Sequence, residues 1–161
     1  MSVRYLTEYA EDAVLALSVA RKGAGHLRYT QSTMFSETID VTWVERLESD
    51  EEKAEKIDAF VSRFGRLQDF IGEKLIPRFA YLLGEKPKSL IDVLAYAEKM
   101  AWLESAEMFF AARKLRNLLV HEYMTDSLLF LQALLSANAA SDMLINVVNA
   151  MEAELKALSL P

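Results

Sequence analysis

The chain contains no cysteine, which excludes a disulfide framework, a zinc–thiolate centre and a cysteine nucleophile. Histidine is scarce too, with two in 161 residues, so imidazole chemistry must come from His26 or His121. No Gly-rich phosphate loop and no nucleophile elbow occur. The N-terminus, Met1-Ser2-Val3-Arg4-Tyr5, has no charged region leading into an apolar run, so no signal peptide is expected. Charges interrupt every candidate for the roughly 18 to 20 apolar residues that a membrane span requires. A soluble cytoplasmic protein without membrane contact is the expectation. Basic residues are outnumbered, 18 Lys and Arg against 24 Asp and Glu, for a net charge of −6. That balance argues against broad nucleic-acid binding, which runs on phosphate neutralisation, and leaves room for a local cationic site.

What is present is a globular composition, 52% apolar and 26% charged, in a length that makes one domain. Apolar residues recur at helical steps and no segment alternates as a strand, so the fold class is all-α, an up-and-down helical bundle. A first helix is expected over about residues 3 to 21, stopped by Gly23 and Gly25, with a loop over about residues 23 to 37. A short helix follows around Trp43, from Ile39 to Leu47. Ser49-Asp50-Glu51-Glu52 reads as a capping box opening a long helix. Its stripe is Ile57, Phe60, Val61, Phe64, Leu67, Ile71 and Leu75. Pro77 should kink or break that helix near residue 76, and Gly84 and Pro87 should end it. Ser89 and Asp92 mark a capped helix to about Met100, and another helix is expected from about Ser105 to His121. Thr125 or Asp126 can cap the last, which carries Leu144, Val147, Val148, Met151 and Leu155 inward. Trp43, Trp102 and the Phe109-Phe110 pair read as core or interface aromatics rather than base-stacking platforms.

The stretch richest in chemistry is Arg116-Asn117-Leu118-Leu119-Val120-His121-Glu122-Tyr123, an R-x4-H-x-Y pattern in a helical context. A guanidinium can hold a phosphodiester in a bidentate grip, and an imidazole can give or take a proton near neutral pH. Arg113 and Lys114 lie just upstream, and Arg63, Arg66, Lys74 and Arg78 form a second basic stretch. Asp69 and Glu73, four residues apart, could face the same cleft as His121, although a solvated charged face is the plainer reading. His26 has no second ligand near it, so no metal site is expected.

Arg116 through Tyr123 resembles the signature of the HEPN superfamily, most closely its HepT-like ribonuclease toxins, whose partners are minimal nucleotidyltransferase antitoxins. The run Ser62-Arg63-Phe64-Gly65-Arg66-Leu67-Gln68-Asp69 through Pro77 resembles the long helix of proteins in that group. The similarity covers roughly residues 55 to 130 and leaves the first forty unassigned. It implies a HEPN-like four-helix core, about residues 50 to 158, with an N-terminal extension over about residues 1 to 40. It further implies a homodimer with the motif at the subunit interface, and endoribonuclease activity on tRNA or mRNA without metal or cofactor. On this resemblance the catalytic set is Arg116, Asn117, His121 and Tyr123. Tyr123 is also the acceptor for AMP transfer from the antitoxin, and Arg63, Arg66, Asp69, Arg113 and Lys114 are candidates for substrate binding.

On one straight helix Arg116 and His121 differ by about 140° in azimuth, so a single copy does not converge them. Attack of a ribose 2′-hydroxyl on its phosphate also needs a base at one oxygen and an acid at the other. One motif histidine per chain is short by one, and a two-fold dimer supplies the second. The alternatives are a non-catalytic partner of a nucleotidyltransferase, or a surface reading in which His121 caps a helix C-terminus and Arg116 pairs with Glu122 or Asp126.

Overall fold

In the computed structural model, residues 4–121 and 125–160 are described, the side chain of His121 excepted. Helices carry most of them, in the order α1 (Ala10–Met34), α2 (Val41–Glu45), α3 (Glu51–Phe70), α4 (Ile76–Leu82), α5 (Leu90–Lys99), α6 (Ala106–His121) and α7 (Ser127–Ala157). No strand occurs among the described residues, and the chain is an all-α helical bundle. Three carboxylate or hydroxyl caps set the starts of helices where local sequence leads one to expect them. Asp50 accepts from the Lys53 amide at 3.1 Å, Ser89 from Asp92 at 3.1 Å and Asp126 from Leu129 at 3.0 Å. The cap of α3 is thus Asp50 alone, not a capping box begun by Ser49, whose hydroxyl donates to the Arg46 carbonyl instead.

α1 departs from the sequence expectation. It begins at Ala10, after a 3-10 turn over Thr7–Tyr9, and runs unbroken through Gly23 and Gly25 to Met34. Residues 23 to 34 are helix rather than loop. The reason lies in packing: Ala13, Leu17, Ala20, Ala24, Leu27, Gln31 and Met34 are buried at steps of three and four. An interior glycine costs about 1 kcal/mol against alanine, whereas burying Leu27 and Met34 contributes about 1.5–3 kcal/mol each. α1 packs against α3 and α7, so the N-terminal segment is part of the bundle core.

A polar tie joins α1 to α7. Gln31 Nε2 donates to the Asn138 carbonyl at 3.0 Å and to Asp142 Oδ1 at 3.0 Å, and Arg28 Nη1 donates to the same oxygen at 2.6 Å. Burial alone would push the Asp142 carboxyl up, but the hydrogen bonds from Gln31 and Arg28 and the guanidinium charge hold it below its ordinary 3.8.

Pro77 does not break its helix. Between α3 and α4 the chain widens into a π-turn, Ile71–Leu75, in which the Ile76 amide bonds to the Ile71 carbonyl, and Pro77 falls in the first positions of α4. Proline has no N–H to give and its ring collides with the carbonyl four residues back. A widened turn is the device that lets a helix pass such a point. α4 then ends as expected, at Gly84 with φ +89°.

α7 bears on the expectation about membrane spans. Over its 31 residues an 18-residue window reaches a mean hydropathy of 1.5, so by length and composition it could cross a membrane. One charge, Asp142, falls in every such window, so the longest uncharged run, residues 127 to 141, is shorter than a span. Its buried positions, Phe130, Leu134, Ala137, Leu144, Val148 and Met151 among them, belong to the core shared with α1 and α6.

Candidate functional site

The residue that organises the site is Arg116 on α6, and what seats it is a missing side chain on α3. A Cβ on Gly65 would stand 2.7 Å from Arg116 Nε, 3.1 Å from its Cδ and 3.3 Å from its Cζ. Glycine at this buried position lets the arginine lie across the α3 backbone. One helical turn on, Asp69 receives Nη1 at 2.6 Å. Arg116 therefore pairs across the bundle, with Asp69 on α3. Among the described residues one guanidinium nitrogen is engaged, and the side chain is 41% exposed, which leaves donors of the fork for a ligand.

Beside this arginine is a cleft of about 320 Å³ lined by Gln68, Phe110, Arg113, Lys114, Arg116 and Asn117. Phe110, Arg113, Lys114 and Asn117 recur at three- and four-residue steps, which places them on one face of α6. Arg113, Lys114 and Asn117 are exposed and Phe110 is half-buried. Three cations thus converge on one small concavity of an otherwise acidic chain, and Asp69 counters only one of them. An anion with a flat apolar part is the ligand this composition suits.

The expected site residues sort into two groups. Arg113, Lys114, Arg116 and Asn117 line the cleft, and Asp69 braces it. Arg63 and Arg66 do not join them. Arg63 Nη1 donates to the His26 carbonyl at 3.2 Å and to Thr30 Oγ1 at 2.5 Å, which ties α3 to α1. Arg66 donates to Ser62 Oγ at 3.0 Å. Both line a different groove, shared with Val19, Gly23, His26 and Phe70. His121 is the last residue of α6 and stands one turn beyond Asn117 in register; its side chain, and the whole of Tyr123, lie outside the described residues. Glu73 is exposed on the π-turn.

Two residues escaped the sequence reading. Gly65 was only part of a quoted run, and its role depends on a partner 51 positions away on another helix. Gln68 had a legible signal: with Phe64, Ile71 and Leu75 it steps four, three and four along the buried stripe, so a polar residue occupies a core position. It is 1% exposed, and neither Nε2 nor Oε1 has a hydrogen-bond partner among the described residues. No family model, curated protein or solved structure matches the chain.

Proposed function

We propose that this protein is a metal-independent endoribonuclease, the toxin of a HepT/nucleotidyltransferase-type pair, acting as a homodimer on tRNA or mRNA. The observation that carries the reading is the seating of Arg116. The arginine of the R-x4-H-x-Y pattern is held by Asp69 over Gly65 at the rim of a cationic cleft. A guanidinium oriented in advance stabilises charge on a phosphorane without having to reorganise during the reaction. Arg113 and Lys114 hold the flanking phosphates, and Asn117 orients the substrate or the imidazole.

The ribose 2′-hydroxyl loses its proton to one His121 and attacks the adjacent phosphorus. The 5′-oxygen leaves with a proton from a second His121, contributed by the other subunit. The bond formed is 2′-O–P and the bond broken is P–5′-O, so the products are a 2′,3′-cyclic phosphate and a 5′-hydroxyl. Tyr123 donates a hydrogen bond in this scheme and is the acceptor through which AMP transfer from the partner would silence the site. The test is cleavage of total RNA and a tRNA pool in EDTA. The wild type should cut, while His121→Ala and Arg116→Ala, folded by circular dichroism, should not.

A second reading has one observation in its favour, the net charge of −6. It makes the same cleft a docking or nucleotide-binding surface of a non-catalytic nucleotidyltransferase partner. Binding that survives without any cleavage by AMP-free protein would favour it.

A further inference from the structure

The Gln68 amide is the one buried polar group at the cleft that the reaction scheme does not use. Burying an amide with neither its donor nor its acceptor paired is costly, and native folds retain such a group where something else completes it. The side chain lines the same cleft as Phe110, Arg113 and Lys114. Its rim is formed by long cationic side chains, two of them exposed and the third 41% exposed, which can swing aside without moving a helix. An amide offers one donor and one acceptor side by side, and the bidentate base contact characteristic of glutamine is to the N6/N7 edge of adenine. Phe110 supplies an apolar ring for the base to stack on, as unpaired bases do on aromatic side chains. The cations supply the contact to the attached phosphate.

We propose that the cleft between α3 and α6 reads an unpaired adenine, with Gln68 as its specificity-determining residue. This names the substrate feature recognised by the proposed ribonuclease, and it rests on that reading only for the source of the adenine, RNA rather than free nucleotide.

The experiment has two arms. In the first, AMP, GMP, CMP and UMP are titrated calorimetrically into the wild type, Gln68→Met and Arg113→Ala. AMP should bind about tenfold more tightly than the others, the size of one bidentate pair. Gln68→Met should bring AMP to the level of the other three, and Arg113→Ala should weaken all four by a similar factor. Equal binding of the four by the wild type, or an adenine preference that survives Gln68→Met, overturns the proposal. Removing an unpaired buried amide should leave the melting temperature unchanged or raised. Should Gln68→Met fail to fold, the Gln68 side-chain amide resonances of the wild type decide: a shift on addition of AMP supports the assignment, and no shift despite binding overturns it.

In the second arm, a uridine oligonucleotide with a single adenine and one with none are cleaved in EDTA. Cutting of both at one rate, with no base preference in the first arm, removes the adenine site and leaves the ribonuclease standing. Adenine-selective binding with no cutting of either removes the ribonuclease and leaves a free-nucleotide site.

Discussion

Gly65→Ala separates the seating of Arg116 from the stability of the fold. The added Cβ falls 2.7 Å from Arg116 Nε, and the three atoms nearest it all belong to that one side chain. No backbone need move; the arginine must. Replacing an interior helical glycine with alanine contributes about 1 kcal/mol. Losing a partly exposed Arg116–Asp69 pair costs about 0–1 kcal/mol. The two nearly cancel, so the net change should lie within about 1 kcal/mol, a shift of roughly 2–4 °C in melting temperature for a chain of this length. On the proposed ribonuclease reading activity should not be spared, because displacing a group that grips the phosphate by about 1 Å can cost on the order of a hundredfold. The assay is the initial rate of RNA cleavage beside a thermal melt. Asp69→Ala in the Gly65→Ala background should add little further loss, since both act on one guanidinium. Wild-type rates from Gly65→Ala would refute the role given to the seat. A fall of more than about 10 °C in melting temperature would refute the claim that the contact is confined to a movable side chain.

Gly25→Ala should stabilise the protein by about 0.5–1 kcal/mol in urea denaturation, because nothing lies within 4 Å of the new Cβ; no gain would argue against a continuous α1. Ala101 sits at φ 61° just past the end of α5, a conformation that costs a residue with a Cβ about 1–2 kcal/mol. Ala101→Gly should accordingly raise the melting temperature by a few degrees, and a fall would contradict the strain. Asp142 has a folded carboxyl held below the ordinary 3.8. Its stabilising contribution is therefore present above the unfolded value and is lost as pH falls through the folded one. Asp142→Asn should flatten the acid limb of the stability–pH curve below about pH 4, and an unchanged limb would count against the α1–α7 tie.

Helix boundaries were legible wherever a cap is local. Ser89 and Asp126 sit directly before the apolar periods they open, and α5, α6 and α7 start where the sequence puts them. The second half of α1 was not legible, because Gly23 and Gly25 are strong local signals while the burial that overrides them is tertiary. Thr30 and Gln31, buried with 3% and 7% exposure, dilute the apolar stripe there with polar residues. The π-turn was half legible: Pro77 announced a disturbance, but its form depends on how the widened turn packs. At the site, the R-x4-H-x-Y pattern and the neighbouring Arg113 and Lys114 could be read from spacing alone. Gly65 could not, since it meets Arg116 across 51 positions of chain and only packing brings it there; Asp69 was legible as a cleft candidate, but its pairing with Arg116 across 47 positions was not. Arg63 and Arg66 lie in a different groove for the matching reason. Being basic and close in sequence to Asp69 did not place them at the cleft, because the helix turns them toward α1 and Ser62.

The central claim is that the R-x4-H-x-Y site cuts RNA by 2′-hydroxyl attack. The most direct measurement is the chemistry of the ends left on a defined RNA by AMP-free protein in EDTA. The account predicts a 2′,3′-cyclic phosphate and a 5′-hydroxyl from the wild type and intact RNA with His121→Ala. A 5′-phosphate product, or equal cutting by both proteins, would contradict it.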